Sequence, residues 1–301
     1  MIYTVTFNPA IDCVIRLSNL QSGAINRADS QDIFVGGKGI NVSLVLNQLG
    51  TQSVAMGFSA GFTGAAIEDG VRAQGVQTDF IRLKNGYSRI NMKVKTDNET
   101  ELNGPGPEID DEAFEMLVNK LDRLNKGDIL VLAGSVPSSL PRDVYRRIIH
   151  RLDGKGVKFV VDAAGDLLMN VLQYKPFLIK PNNIELGEIF NMTLKSREDV
   201  ISCAKKLQEK GAVNVLVSMA EEGAILLDEN GQVHRIAAPK GEAVNSVGAG
   251  DSMVAGFLAG FLKTGDYSYA LKLGTAAGSA TAFSSDLAKR SEIEKLLMTL
   301  E

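Results

Sequence analysis

Short apolar runs alternate with longer helical segments along most of the chain. Residues 2–7 predict a strand, because this run is apolar and Asn8-Pro9 closes it. The same pattern predicts core strands over residues 53–58, 128–132, 157–161, 177–179, 214–218, 223–227 and 233–236, and helices over 40–49, 62–74, 110–124, 142–152, 164–172, 183–190 and 198–210, followed by three closing helices. Such alternation predicts an α/β fold, in which a mostly parallel sheet has helices on both faces.

Four segments depart from this pattern: residues 12–17, 29–35, 89–96 and 99–103. In the third segment the polarity alternates at every residue, with Ile90, Met92 and Val94 on one side and Arg89, Asn91, Lys93 and Lys95 on the other. A period of two predicts a half-exposed antiparallel strand. Asp97-Asn98 would then form a hairpin turn that leads into residues 99–103. The pattern alone is compatible with a plain edge hairpin.

Composition narrows the class of protein. The chain has 301 residues and a net charge of −4, so it can bury a sizeable core and has no basic excess for binding nucleic acid. Cys13 and Cys203 have neither disulfide nor metal spacing, which favours free thiols in a reducing cytoplasm. The sequence shows no apolar run of membrane-spanning length and no signal-peptide pattern. We therefore expect one compact cytoplasmic domain over residues 1–301, with no nucleic-acid or membrane partner.

A glycine-rich turn opens a helix in the stretch Val247-Gly248-Ala249-Gly250-Asp251-Ser252. Two glycines let backbone N–H groups converge at the N-terminus of a helix, and this arrangement favours an anion. Asp251 is consistent with two roles, which are compatible with each other. It can cap the helix, since Asp is among the best N-cap residues, or it can act as a general base beside the anion.

A second glycine-rich turn, Gly36-Gly37-Lys38-Gly39-Ile40-Asn41, also opens a helix. Lys38 adds a positive charge suited to phosphate, although the turn does not match the Walker A pattern. One basic turn and one turn that ends in aspartate together indicate transfer of a phosphoryl group to a hydroxyl.

Both turns resemble the paired motifs of the ribokinase-like sugar kinases, and the chain most resembles the branch of that family that phosphorylates phosphosugars. Further matching motifs cover residues 6–12, 88–91, 133–137 and 180–185, in the order that the family has them. The resemblance implies a three-layer α/β/α core. It also implies that the four departing segments form a small discontinuous β-lid over the substrate, often used for dimerisation, and hence a homodimer.

The resemblance assigns roles to individual residues. Asp251 is the expected general base, and the amides of Gly248, Ala249 and Gly250 form the expected anion hole. The phosphosugar is expected at Asp12, Gly37, Lys38, Asn41, Arg89 and Ser135, with Asp12 and Asn41 at sugar hydroxyls and Lys38 and Arg89 positioning the phosphosugar through its phosphate. ATP is expected at Lys180, Asn182, Ser218, Ala220, Gly223, Thr275 and Ser279, and Mg²⁺ at Glu185 and Asn182, while a monovalent cation is left open.

Without the resemblance, the same residues have ordinary structural explanations. Asp12 is then a turn residue, Lys38 and Arg89 are surface charges, and Asn183 is a helix N-cap. The chain also departs from the family pattern in two places. Ala220 stands where glycine is common, and no Thr or Ser follows Asp162 in Asp162-Ala163-Ala164-Gly165, so Asp162 is left out of the predicted site.

The implied reaction is ATP-dependent phosphorylation of fructose 1-phosphate at O6. Tagatose 6-phosphate and fructose 6-phosphate remain alternatives, since Lys38 and Arg89 could serve a phosphate at either end of the sugar. The alternative that is not an enzyme is a sugar-phosphate sensor, although a protein without catalysis would have little reason to keep Asp251. A nicotinamide-dependent dehydrogenase is excluded because no G-x-G-x-x-G follows the first strand.

Overall fold

The structure is a computed structural model that describes residues 1–96 and 99–300. Its strands are β1 (Ile2–Thr6), β2 (Ala10–Arg16), β3 (Ser30–Gly36), β4 (Ser53–Ala60), β5 (Gln77–Leu83), β6 (Arg89–Lys95), β7 (Glu99–Asn103), β8 (Ile129–Ala133), β9 (Lys158–Asp162), β10 (Leu178–Ile179), β11 (Asn214–Ser218), β12 (Ala224–Leu227) and β13 (Val233–Ile236). Its α-helices are α1 (Lys38–Gln48), α2 (Gly61–Ala73), α3 (Asp111–Leu121), α4 (Val144–Leu152), α5 (Gly165–Met169), α6 (Asn183–Phe190), α7 (Arg197–Glu209), α8 (Ala249–Thr264), α9 (Tyr267–Ala282) and α10 (Arg290–Leu297).

The large sheet has nine strands in the order β13-β12-β11-β10-β9-β8-β1-β4-β5. Neighbouring strands from β11 to β5 are parallel, and β12 and β13 add an antiparallel edge. All five residues of β8 are buried, and alternate residues belong to two apolar clusters, Leu130 to one and Val131 to the other. A strand buried on both faces is typical of a sheet between two helical layers, so the predicted α/β/α architecture is confirmed.

The small sheet has four strands in the order β3-β2-β6-β7. Strand β6 is parallel to β2 on one side and antiparallel to β7 on the other, so the antiparallel prediction for residues 89–96 holds for only one neighbour. The hairpin turn predicted at Asp97-Asn98 lies outside the described residues. The four predicted segments thus come together as one sheet, separate from the large one.

The two faces of the small sheet differ in polarity. The outer face carries Ile33, Ile90 and Leu102, which are 63%, 44% and 61% exposed. The inner face carries Asp12, Asn91 and Lys93, and the last two are only 6% and 7% exposed. The alternation in β6 is as predicted, but these two inner polar side chains are buried whereas apolar Ile90 lies in solvent.

Several element boundaries differ from the prediction. Strand β5 was not predicted, because Gln77, Asp79 and Arg82 interrupt the apolar run and only Phe80 and Ile81 of that strand are buried. The helix predicted over residues 164–172 is shorter, since α5 ends at Met169 and a 3₁₀ turn follows over Leu172–Tyr174. Among the described helices, none is both long and apolar enough to span a membrane.

Candidate active site

The candidate site lies at the carboxyl edge of the large sheet, where ligands bind in open α/β folds. Asp162 is the last residue of β9, and Lys180 directly follows β10. A cavity of about 380 Å³ opens there, and its lining includes Thr6, Gly37, Lys38, Arg89, Ser135, Asp162 and Glu185. Gly37 has φ 124°, and a Cβ there would lie 2.6 Å from Thr6 Cγ2, so only glycine fits where β3 turns into α1.

Asp251 lies in the first turn of α8, whose N-cap is Gly248 with φ 79°. Asp251 is therefore the third residue of the helix and not its cap, so the capping role is wrong. Its Oδ2 accepts a hydrogen bond from Asn41 Nδ2 at 2.8 Å, and the residue is 4% exposed. Burial, reinforced by the charge of Asp162, raises the pKa of Asp251 to about 6 against the opposing effects of Lys38, Asn41 and Lys180.

Two lysines converge on Asp162. Lys180 Nζ lies 3.3 Å from Asp162 Oδ1, and Lys38 Nζ lies 3.4 Å from Asp162 Oδ2. Burial by itself would raise the pKa of Asp162, but the charges of Lys180 and Lys38 hold it below its usual value. The sequence prediction missed Asp162, although its position at the end of a parallel strand was a usable signal.

Lys180 also lies close to the glycine-rich turn that opens α8. A Cβ at Gly250 would lie 3.1 Å from Lys180 Nζ, so the absence of a side chain lets this ammonium approach the start of the helix. Lys38 faces the same region. Burial alone would lower the pKa of Lys38, but the carboxylates of Asp162, Asp251 and Glu185 raise it above its usual value. Asp251, Asp162, Lys38 and Lys180 thus form one cluster of charges, which we call the charge cluster.

The residues predicted to bind the sugar lie on both sides of this cluster. Asp12 lies on the inner face of the small sheet, where its Oδ1 accepts a hydrogen bond from Asn91 Nδ2 at 2.8 Å. Arg89 and Ser135 share the 380 Å³ cavity with Lys38, and Arg89 Nε is buried without a hydrogen-bond partner. An unpaired buried donor is costly, so this guanidinium is suited to an incoming acceptor.

Asn182 and Glu185, predicted to hold Mg²⁺, form a capping box at the start of α6. Asn182 Oδ1 accepts from Glu185 N, and Glu185 Oε2 accepts from Asn182 N, both at 2.8 Å. Asn182, rather than Asn183, is therefore the N-cap. In the part of the chain that the structure describes, no three His, Cys, Asp or Glu side chains cluster as a ready metal site. Glu185 keeps its second oxygen and lines the cavity beside Asp162.

The remaining predicted ATP residues lie on two other elements. Ser218 ends β11, and Ala220 and Gly223 follow in a tight turn with φ 47° and 96°. A Cβ at Gly223 would lie 2.0 Å from the carbonyl oxygen of Ile236, so glycine is required at the end of this turn. Thr275 and Ser279 lie one turn apart on α9, and Thr275 Oγ1 is buried without a partner. Ser218 N donates to the Pro181 carbonyl at 3.2 Å, which places the end of β11 beside the segment that follows Lys180.

Comparison with known proteins supplies independent evidence on the class of protein. A sequence profile of the pfkB family of carbohydrate kinases matches residues 5–293. A 1-phosphofructokinase of Bacillus subtilis (strain 168) is 46% identical over 99% of this chain and 97% of its own length. A D-tagatose-1-phosphate kinase of Bacillus licheniformis is 36% identical over 98% of this chain and 97% of its own.

Solved structures agree with the sequence matches. A structure described as a putative phosphofructokinase from Staphylococcus aureus has a TM-score of 0.89 and 44% identity, covering 100% of this chain and 98% of that one. Arabidopsis thaliana ribokinase, solved with ribose and ATP, has a TM-score of 0.78 over 98% of both chains and shares the fold at 19% identity.

Fold and sequence matches together define a carbohydrate kinase with a ribokinase-like fold, an enzyme that transfers phosphate to an alcohol group. The chain belongs to the pfkB family of carbohydrate kinases.

Proposed function

We propose that this protein transfers the γ-phosphoryl group of ATP to O6 of fructose 1-phosphate, giving fructose 1,6-bisphosphate. The observation that carries the kinase chemistry is Asp251, a buried carboxylate held by Asn41 in the first turn of α8. With a pKa of about 6 it is largely ionised at neutral pH and still basic enough to accept a proton. The choice of sugar is supported by the 46% identical 1-phosphofructokinase.

In the proposed reaction, Asp251 accepts the proton of the O6 hydroxyl while that oxygen attacks the γ-phosphorus. The bond from the γ-phosphorus to the bridging oxygen breaks, and ADP leaves. The amides of Gly250 and Asp251 belong to the first turn of α8, whose N–H groups have no partner within the helix, so they can face the transferring group. Ala249 N already donates to the Ser246 carbonyl at 3.3 Å, which makes it the weaker member of the predicted anion hole.

The phosphosugar would lie between the charge cluster and the inner face of the small sheet. Arg89, with its unpaired Nε, and Lys38 are the proposed cations for the sugar phosphate, with Gly37 and Ser135 in the same cavity. Asp12 is the proposed acceptor for a sugar hydroxyl. Asn41 Nδ2 is already bonded to Asp251, so its first role is to orient the base, and its amide oxygen remains for the sugar.

The chain's own residues fit ATP with one divalent cation. Magnesium usually keeps several waters and takes one or two carboxylates together with substrate phosphates, and when bound it neutralises charge on the phosphates. Glu185 suits this, because Oε2 serves the helix cap and Oε1 is left over. Asn182 Oδ1 accepts from Glu185 N, so Asn182 contributes by holding Glu185 in place rather than as a direct ligand. Lys180 at Gly250 is the proposed cation for the ATP phosphates, and Ser218, Ala220, Gly223, Thr275 and Ser279 are the proposed contacts for the rest of the nucleotide.

D-Tagatose 1-phosphate is the second candidate substrate. A D-tagatose-1-phosphate kinase is 36% identical over 98% of this chain, and its named substrate also carries the phosphate on C1. The B. subtilis relative has the higher identity, so we place fructose 1-phosphate first.

The deciding experiment compares kcat/KM with Mg-ATP for fructose 1-phosphate, D-tagatose 1-phosphate, tagatose 6-phosphate and fructose 6-phosphate. We expect the highest value with fructose 1-phosphate and fructose 1,6-bisphosphate as the product. If another sugar is preferred tenfold, about 1.4 kcal/mol of transition-state stabilisation, the assigned substrate is wrong. If no sugar phosphate yields ADP, the proposed function is wrong.

We also propose that the chain is a single domain that works as a homodimer in the cytoplasm, with the small sheet as its lid. The outer face of that sheet supports the dimer, because Ile33, Ile90 and Leu102 form an exposed apolar surface there. We call these three residues the outer apolar patch. A second copy could cover it by placing the same patch against it, as a two-fold symmetric interface requires.

A further inference from the structure

A buried lysine on the inner face of the small sheet has no role in the mechanism so far. Lys93 is 7% exposed and lies on β6, four residues after Arg89. It lines a separate cavity of about 180 Å³, whose lining also includes Asp12 and Asn41. Because Asn41 bonds to Asp251, this cavity lies beside the proposed base.

The other cations of this cavity have acidic partners. Arg16 pairs with Asp32, and Lys95 Nζ lies 3.9 Å from Glu99 Oε2. Among the described residues, no carboxylate comes within 4.0 Å of the Lys93 ammonium. A buried charge without a partner is costly, and an ammonium offers three donors and no acceptor. The Lys93 ammonium is therefore available to donate hydrogen bonds to a ligand that enters the cavity, whose lining also includes Asp286.

Asp12 is the matching half of this arrangement. In the register of β2 and β6, Asp12 pairs with Asn91, and Lys93 pairs with Val14, two residues further along on the same face. Asp12 Oδ1 is taken by Asn91, which leaves Oδ2 available. A carboxylate oxygen and an ammonium thus line one cavity without touching each other. A hydroxyl between them can donate its proton to Asp12 and accept a hydrogen bond from Lys93.

We propose that Lys93 is a substrate-binding residue that, together with Asp12, binds a ring hydroxyl of the sugar phosphate. This proposal rests on the proposed function and adds a residue to it. The sugar phosphate group itself belongs to Arg89, because four residues of a strand separate Arg89 and Lys93 by about 13 Å. In this proposal Arg89 binds the phosphate at one end of the ligand, and Lys93 binds a hydroxyl at the other end.

The experiment measures steady-state kinetics of Lys93→Met with fructose 1-phosphate and ATP, or with whichever sugar phosphate the wild-type protein prefers. We expect kcat/KM for the sugar to fall about 10- to 100-fold, because a charged hydrogen bond is lost, while KM for ATP is unchanged. Lys84→Met is the control, since it removes the same group at a lysine that has Glu112 as partner and lines neither cavity of the proposed site. It should change kcat/KM less than threefold.

A double-mutant cycle with Asp12→Asn separates direct contact from a structural role. If both side chains bind one hydroxyl, Lys93→Met should lower kcat/KM for the sugar clearly less in the Asp12→Asn background than in the wild type. Additive losses, or a raised KM for ATP, would overturn the proposal. Competitive inhibition by inorganic phosphate supplies a second readout. It should be unchanged in Lys93→Met, and its loss would assign Lys93 to the phosphate group instead.

The outcomes also separate this inference from the proposed function. A wild-type protein that phosphorylates a sugar phosphate, with Lys93→Met as active as Lys84→Met, leaves the function intact and removes Lys93 from the site. A wild-type protein that phosphorylates no sugar phosphate removes both.

Discussion

Strand β8 of the large sheet and strand β6 of the small sheet both lie between two neighbouring strands, but they bury different kinds of side chain. Every residue of β8 is apolar and buried. In β6 two of the buried residues are Asn91 and Lys93, whereas Ile90 is 44% exposed. Helices cover both faces of β8, so both faces must be apolar. The inner face of β6 covers a polar cavity, and part of its outer face meets solvent.

The comparison shows that hydrophobic pattern reports what a strand packs against rather than how deeply it is buried. In the large sheet the partner is the protein's own apolar core, so apolarity and burial coincide. In the small sheet the proposed partners are a sugar phosphate on one face and a second copy on the other. Buried polar residues and exposed apolar residues are then expected in the same strand.

The largest expected effect is a fall in kcat when Asp251, the buried acidic residue of helix α8, is replaced. Asp251→Asn should lower kcat about 10²- to 10⁴-fold, because the base is lost while the hydrogen bond from Asn41 can persist. The free energy of unfolding at pH 8 should stay equal or rise, since a buried charge is removed. Steady-state kinetics and urea unfolding measure the two quantities. Asp69→Asn, at an exposed position on α2, is the control, and near-normal kcat in Asp251→Asn would remove Asp251 from the base role.

A second test compares equal deletions in the two sheets. Leu130→Ala should lower the free energy of unfolding by about 2 to 5 kcal/mol, because the side chain is fully buried in the core. Leu102→Ala removes the same atoms at a residue that is 61% exposed, and it should change the value by less than about 0.5 kcal/mol. Urea unfolding of both variants at low protein concentration measures this, so that association contributes little. Equal losses would show that the outer face is packed within one chain.

The same contrast explains how much the sequence could predict. Strands β11 and β13 and helix α6 were predicted with their observed boundaries, because local signals bound them: an apolar run in β11, the turn Glu229-Asn230-Gly231 before β13 and a capping residue before α6. Asp251, Lys38 and Asn41 were predicted from two motifs, and the structure brings them together. Asp162 was not predicted, since its role comes from two lysines that lie 124 and 18 residues away in sequence and meet only after folding. Lys93 was not assigned to the site for a different reason. The alternation of polar and apolar residues in β6 does not tell which face of the strand is buried.

The outer apolar patch gives a third, smaller effect. Leu102→Glu should raise the dissociation constant of the proposed homodimer at least tenfold, about 1.4 kcal/mol, because it places a charge in an apolar interface. Analytical ultracentrifugation over a range of concentrations measures this. Glu101→Gln, one residue earlier on the opposite face, is the matched control and should leave the dimer intact. A wild-type protein that is monomeric at every concentration would contradict the dimer itself.

The smallest expected effect is a shift in the pH dependence of catalysis, caused by Asp162 acting on Asp251. Asp251 must be ionised to accept a proton, so kcat of the wild-type protein should fall as the pH drops through about 6. The negative charge of Asp162 is one cause of this raised pKa. Asp162→Asn removes that charge and frees Lys38 and Lys180 from it, and both changes favour the ionised form of Asp251. The acidic limb of the kcat profile should therefore move to lower pH, even if kcat at pH 8 also falls because the lysines are less well positioned.

Asp166→Asn, at an exposed position in the first turn of α5, is the control and should leave the acidic limb of the kcat profile at the same pH. An unchanged limb, or one at higher pH, in Asp162→Asn would show that the charge of Asp162 does not raise the pKa of Asp251.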